Sequence, residues 1–401
     1  MARLTVFALL CCSLVSAQDL AVHGETVHTM AGDAITNGVV LIRDGKIAEV
    51  GLAGEIEIPA GFRTLEAKVV TPGLIDAHTV VGIAGYLNQS HDQEQIERSA
   101  AIQPDLRAVD AYDARERLIE WVREFGVTTI HTGHGPGALV SGQTMIAKTR
   151  GRTVDEALVK PFAMLAVTIG DSARGRDNKS PGTRAKMAAM LRAELLKAQA
   201  YARERESADE DKKPDRDLEL EVLASVLAGE IPLLVTAQRS RDILTALRIA
   251  DELDLEIVLD GAAESYEVLD QIREAGVPVI VHPTMYRARA ETENLSFETA
   301  SKLVAAGIPT ALQSGFEGYV PKTRVVLLEA GMAAAHGLGF EQALGAITLE
   351  AAKILGINDR VGSIEPGKDG DLALYDGDPF EYATHCVGVV IEGEVVSETV
   401  R

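Results

Sequence analysis

Cysteine is scarce in this chain: three in 401 residues, two of them, Cys11 and Cys12, near the N-terminus. No disulfide framework can be built from such a set, and an oxidising compartment is tolerated rather than exploited. Aromatic residues make up only 4%. Pocket-lining aromatic material therefore comes down to Tyr86, Tyr112, Trp121, Tyr286 and Phe316, and Trp121, inside a helical stripe, reads as core. Basic residues are outnumbered, 39 against 60 acidic, for a net charge of −21. That balance excludes nucleic acid and anionic membrane surfaces as good partners and leaves a small molecule as the expected ligand or substrate. No later segment approaches ~20 uninterrupted apolar residues, so no membrane span is expected.

What is present begins with "MARLTVFALLCCSLVSAQ": one arginine, a short apolar run, then a small-x-small pattern before Gln18. Residues 1–17 are expected to be a secretory signal, which places the mature chain outside the cell or in the periplasm. Beyond it, 18–67 is rich in short strands and turns, with a hairpin signal at Asp44-Gly45. The far end, 365–401, repeats that character, and two β-rich ends pair most economically into one small composite sandwich. Between them, 68–364 alternates. Apolar runs at 68–78, 126–132, 143–148, 161–169, 231–237, 255–261, 277–284 and 308–314 are separated in part by helical patterns such as Asp113 to Phe125 and Ser240 to Leu253. Strand followed by helix, eight times, predicts the α/β class and a parallel (β/α)8 TIM barrel, whose chemistry lies at the C-terminal strand ends. One insertion, about 172–220, interrupts the repeat with a helix near Thr183 to Arg205, striped by Met187, Leu191, Leu195 and Ala198, and a charged loop. Packing on the barrel is the plain expectation and a lid the sharper one.

Two segments carry a family likeness. "VVTPGLIDAHT" at 69–79 and "ITLEAAKILGINDRVGSIEPGKDGDLALYDGDP" at 347–379 resemble the amidohydrolase superfamily, in its imidazolonepropionase-like secreted branch. The resemblance implies a hydrolase acting on a non-peptide carbon–nitrogen bond of a small molecule, using one or two divalent metal ions, commonly zinc, to activate water. It also implies ligands at set places: two histidines at the end of strand 1, a lysine or glutamate on strand 4, one histidine each on strands 5 and 6, and an aspartate on strand 8.

Most of those positions are replaced. His78 matches the first histidine, but the second falls on Val80. Strand 4, "PFAMLAVTIG", has no lysine or acid. Strand 5 offers Gln238 and Arg239, strand 6 gives Asp260-Gly261-Ala262 where a histidine belongs, and strand 8 ends in Gln313-Ser314-Gly315. A lone imidazole does not hold zinc, which takes three or four ligands. A rearranged site is the alternative: His131 and His134 follow strand 2, His282 follows strand 7, and with His78 these four are a candidate metal set. Hydrogen-bonding roles for the same histidines are the plainer expectation.

Further candidates surround the expected mouth. His91 and Asp92 lie on the polar loop after strand 1, while His134, Gly135, Ser141 and Gln143 sit in or beside the glycine-rich loop "GHGPGALVSG", whose backbone suits a carboxylate or phosphate. With Gln238 and Arg239 these are the candidate substrate-binding residues. Asp76, His78 and His282 are the candidate catalytic residues. Three readings stay open: a hydrolase with a rearranged metal centre, an exported pseudoenzyme that binds a small molecule in the same frame, and metal-free acid–base chemistry in which His91-Asp92 or His282 acts with Asp76 or Glu317. A homo-oligomer is compatible with all three.

Overall fold

The computed structural model describes residues 18–87, 89–175, 179–207, 213–316 and 325–400. The expected signal segment, 1–17, and Glu317 lie outside the described residues.

Seventeen strands follow one another along the described chain. The first four are β1 Leu20–Val27, β2 Ile35–Arg43, β3 Lys46–Leu52 and β4 Arg63–Pro72, followed by β5 Leu74–Thr79 and β6 Val127–Thr132. Next come β7 Val140–Gln143, β8 Met145–Lys148, β9 Leu158–Lys160 and β10 Leu165–Thr168. Then follow β11 Leu233–Ala237, β12 Ile257–Gly261, β13 Val279–Val281 and β14 Thr310–Leu312. The last three are β15 Leu372–Tyr375, β16 Cys386–Ile391 and β17 Glu394–Ser397.

The two ends of the chain share one seven-stranded sheet, ordered β17-β16-β15-β4-β1-β2-β3. Its hairpin β2–β3 turns where the sequence asks it to. Asp44 and Gly45 both have positive φ, 49° and 80°, the conformation a tight two-residue hairpin needs. Below this sheet, Lys148 of β8 is buried and its Nζ lies 2.6 Å from Asp371 and 3.2 Å from Asp369, so an ion pair ties the terminal sheet to the middle of the chain.

The middle is mixed α/β. Strands β10 to β14 run parallel in order, and β5 pairs parallel with β6. These strands read as nearly unbroken apolar runs because helices cover one face and the interior the other, as in β11, Leu233–Ala237, every residue of which is buried. A parallel bridge from Thr79 to Gly315 joins the β14 end to β5. The expectation of eight parallel strands needs one correction. The third run, 143–148, belongs to a longer segment whose β7 pairs antiparallel with β10 and whose β8 pairs antiparallel with β6. Apolar periodicity reports burial and carries no information about strand direction.

The insertion places a 24-residue helix, Arg184–Ser207, with Met187, Leu191, Leu195 and Ala198 buried as the stripe implies. It packs on the helices Leu218–Leu227 and Ser240–Leu253. Among the described residues, no helix is long and apolar enough to cross a membrane.

Candidate active site

Parallel strands deliver their C-terminal ends to one side, and there a narrow pocket of about 40 Å³ opens. It is lined by His78 near the end of β5, Thr236 and Gln238 at β11, Asp260 and Gly261 at β12, His282 after β13, Gln313 after β14, and the ring of Phe316. A space of that size holds a few water molecules.

At its base Asp260 organises three side chains. Its Oδ1 lies 2.9 Å from His78 Nδ1 and accepts from Gln313 Nε2 at 2.8 Å, while Oδ2 accepts from the Thr236 hydroxyl at 2.6 Å. Burial pushes the Asp260 carboxyl up, but the His78 charge and these three donors outweigh it and hold the acid below its ordinary range. An ionised carboxylate only accepts, so His78 carries its proton on Nδ1. In the neutral ring Nε2 then presents a lone pair, buried and without a hydrogen-bond partner among the described residues, on a residue that lines the pocket. Burial pulls the His78 imidazolium down, yet Asp260, by charge and hydrogen bond, and Asp76 more than compensate, and the net shift is upward.

Asp76 lies two residues earlier on the same strand face. Its Oδ1 accepts the Ser314 backbone N–H at 2.9 Å, and burial, stronger than that hydrogen bond and the nearby His78, pushes its carboxyl up to about 7. Close to neutral pH it holds a proton about half the time.

The departures on strands 5 and 6 fit each other. Gly261 has φ +76°, and a Cβ placed there would stand 2.3 Å from Gln238 Nε2. The glutamine occupies the volume that a side chain at 261 would need, and its Oε1 accepts the Ala263 N–H at 3.2 Å.

The four-histidine metal set is not assembled. His131 Nδ1 faces the Ala77 carbonyl at 2.7 Å, which can only accept, and Nε2 stands 2.7 Å from the Thr144 hydroxyl, which also reaches the Met164 carbonyl at 3.0 Å, so both ring nitrogens are engaged away from a shared ion. Burial depresses His131 to about 3, and it stays neutral beside His78, 5.6 Å away between ring centroids. His282 turns Nδ1 to the Pro283 carbonyl at 2.8 Å and Nε2 toward Thr299 Oγ1 at 3.3 Å, and burial lowers it to about 4. His134 is buried under Gly142 and lowered by burial, partly offset by Glu94 and Glu97, and it does not line the pocket. Among the described residues no three His, Cys, Asp or Glu side chains gather as a metal would require. The donor set therefore does not fit the divalent centre that the resemblance implies.

Several substrate-binding candidates also stand elsewhere. His91 is exposed and Asp92 accepts from Gln89 and Gln93 within its own loop. Ser141 and Gln143 are buried in β7, Gln143 Nε2 donating to the Pro104 carbonyl at 3.1 Å. Arg239 turns outward to Glu293 and the Ala290 carbonyl. Gly135 borders the mouth indirectly, since a Cβ there would touch the Phe316 ring at 3.0 Å. None of the described residues of the 172–220 insertion lines the pocket. The grouping of Asp260, Thr236 and Gln313 is marked in the sequence only by polar side chains at the ends of three apolar strands.

With this geometry in place, comparison with known proteins gives a consistent answer. The amidohydrolase family model matches residues 303–397. A solved amidohydrolase from Thermotoga maritima MSB8 superposes with a TM-score of 0.89 at 30% identity, over 95% of this chain and 100% of that one. Imidazolonepropionases from Solibacter usitatus, 26% identical over 88% of both chains, and from Brucella anthropi, 27% identical over 89% of this chain and 91% of that one, are similar along nearly their whole length. The chain belongs to the amidohydrolase superfamily and is imidazolonepropionase-like.

Proposed function

We propose that the protein is a hydrolase that opens a non-peptide carbon–nitrogen bond of a small molecule, with a cyclic amide as the first substrate class to test, and that His78 held by Asp260 activates the water. The single observation behind this reading is the unpartnered Nε2 of His78, buried on the pocket wall while Nδ1 is anchored 2.9 Å from Asp260. The superfamily relatives support the reaction class, and the named imidazolonepropionases suggest the ring chemistry.

The step balances without an ion. A water in the pocket gives a proton to Nε2 as its oxygen bonds to the amide carbon, and the imidazolium returns that proton to the leaving nitrogen as the C–N bond breaks. Asp260 keeps the ring in the productive tautomer and stabilises the imidazolium, the role an orienting carboxylate plays beside a catalytic histidine. Gln238, with Oε1 fixed by Ala263, directs its amide donor end toward the developing oxyanion, where one such hydrogen bond is worth about 10²–10³ in rate. Neutral His131 beside His78 adds no opposing charge when the proton arrives.

This reading includes a closed barrel formed by β5, β6, the β7–β8 segment and β10 to β14, a terminal-sheet domain from 18–67 and 365–401, and export behind residues 1–17. N-terminal sequencing of the mature protein checks the last point. A panel of lactams, cyclic ureas and imidazolones assayed against wild type and His78→Ala tests the chemistry. Turnover lost in the variant supports it. Turnover unchanged in His78→Ala, or none on any ring while the folded protein still binds one, removes the hydrolase assignment in favour of a binding protein.

A further inference from the structure

The glycine-rich loop borders two openings. Pro136 lines the pocket described above, and the next residues, Gly137 and Ala138, line a second and larger cavity of about 240 Å³. Two other segments complete it, Arg98–Ala101 from the loop after β5 and the start of the insertion at Ala173–Gly175 and Lys179–Pro181. None of the residues assigned to water activation belongs to it.

Its charge runs against that of the whole chain. The protein carries a net −21, yet among the described lining residues there are three cations, Arg98, Arg174 and Lys179, and no carboxylate. The rest are small, alanine, glycine, proline and two serines whose hydroxyls donate inside the protein, Ser99 to Gln103 Oε1 at 3.0 Å and Ser180 to Met190 Sδ at 3.2 Å. Chance placement in so acidic a protein would mix signs on a patch of this size, as surfaces ordinarily do. The rim is also built to a shape. The Gly175 N–H bonds the Pro181 carbonyl at 2.9 Å, and a Cβ at Gly175 would stand 2.3 Å from the Lys179 carbonyl oxygen, so only glycine allows that approach. On the opposite wall a Cβ at Gly137 would meet Ile96 at 2.6 Å.

We propose that this cavity binds a small molecule through a phosphate group. A phosphate carries a charge near −1.5 to −2 and three acceptor oxygens. Three cationic side chains match that demand better than they match a single carboxylate, and arginine and lysine are the side chains that recognise phosphate. Arg174 is shared, since its Nε lies 2.9 Å from Asp171, and that acid is itself held below its usual range by Arg184 and Arg174 against the opposing effect of burial. The ligand therefore meets an arginine already oriented at the rim.

The test uses the full chain and inorganic phosphate, then a phosphorylated sugar, at constant ionic strength set with chloride. The melting temperature rises with phosphate in wild type and in His78→Ala, and the rise disappears in Arg174→Ala/Lys179→Ala. Because both substituted side chains are exposed, the double variant melts near wild type in chloride alone; Lys179→Glu is the second variant should it not. An equal rise in the double variant means general salt stabilisation and overturns the proposal. So does a rise with succinate and none with phosphate, which would assign the cavity to dicarboxylates, and so does no rise at all at roughly a hundred times a millimolar-range Kd, where a shift of about 2.7 kcal/mol is due.

Discussion

Asp260 and His78 are 182 positions apart in the chain and meet at 2.9 Å through Oδ1 and Nδ1 at the closed end of the pocket. The contact fixes which nitrogen of the imidazole carries hydrogen and which presents a lone pair. Everything proposed about catalysis depends on that one orientation.

Activity should fall in a graded way when the pair is altered. His78→Ala removes the base and should cost about 10²–10⁴ in kcat, the usual worth of general base catalysis. Asp260→Asn keeps the shape but presents an amide to Nδ1, which disturbs the tautomer, and kcat should fall by a comparable factor with KM little changed. Steady-state kinetics on the two variants checks both values.

The rate should rise with pH along a single limb whose midpoint lies above 6.5. His78 must be deprotonated to act, and its pKa is raised, with the Asp260 charge overcoming the effect of burial. Weakening that charge in Asp260→Asn should move the midpoint of any residual activity downward. A limb that does not move would separate the titrating group from this pair.

Removing the carboxylate altogether should damage the fold more than the reaction scheme alone suggests. Asp260→Ala leaves His78 Nδ1, Gln313 Nε2 and the Thr236 hydroxyl facing a buried void. Losing one partner of a buried charged network costs roughly 3–5 kcal/mol. Urea denaturation of Asp260→Ala beside Asp260→Asn measures the difference, the asparagine variant being the milder.

Stability should also carry a pH signature from Asp76. Its folded pKa is raised to about 7 from 3.8, so between those values the folded protein keeps a proton the unfolded chain has released. Stability from this group therefore declines as pH rises from about 4 to 7 and levels off above. Asp76→Asn, which preserves an oxygen for the Ser314 N–H, should flatten that decline. Melting temperature against pH for the two proteins reads it directly.

The fit between Gly261 and Gln238 predicts coupling. Gly261→Ala meets both a positive φ of 76° and a contact of 2.3 Å with Gln238. The contact can be relieved and the backbone strain, about 1–2 kcal/mol, cannot. Gln238→Ala should hence rescue part, not all, of the stability lost in Gly261→Ala, and a double-mutant cycle gives the share.

The order of elements was largely legible in the amino-acid sequence, and the site only in fragments. The helix Ser240–Leu253 begins and ends where its apolar spacing says, and β11 and β12 fall inside their apolar runs. The direction of Val140–Lys148 was not legible, because a short buried strand looks the same read either way. His78 stood out from the family-like segment, and Val80 marked the missing ligand beside it. The replacement was invisible, since Asp260, Thr236 and Gln313 come together only through strand register across β11, β12 and β14. His131 and His282 were placed at the correct strand ends, but the carbonyls of Ala77 and Pro283 decide where their rings point, and no spacing rule encodes that.

The central claim is that this protein activates water with a histidine–carboxylate pair where its relatives are expected to use metal. Metal analysis of protein purified without chelator, together with a thermal shift on adding zinc, manganese or iron, tests it most directly. The account predicts far less than one equivalent of metal per chain and no shift. One tightly held equivalent, lost in His78→Ala, would contradict it.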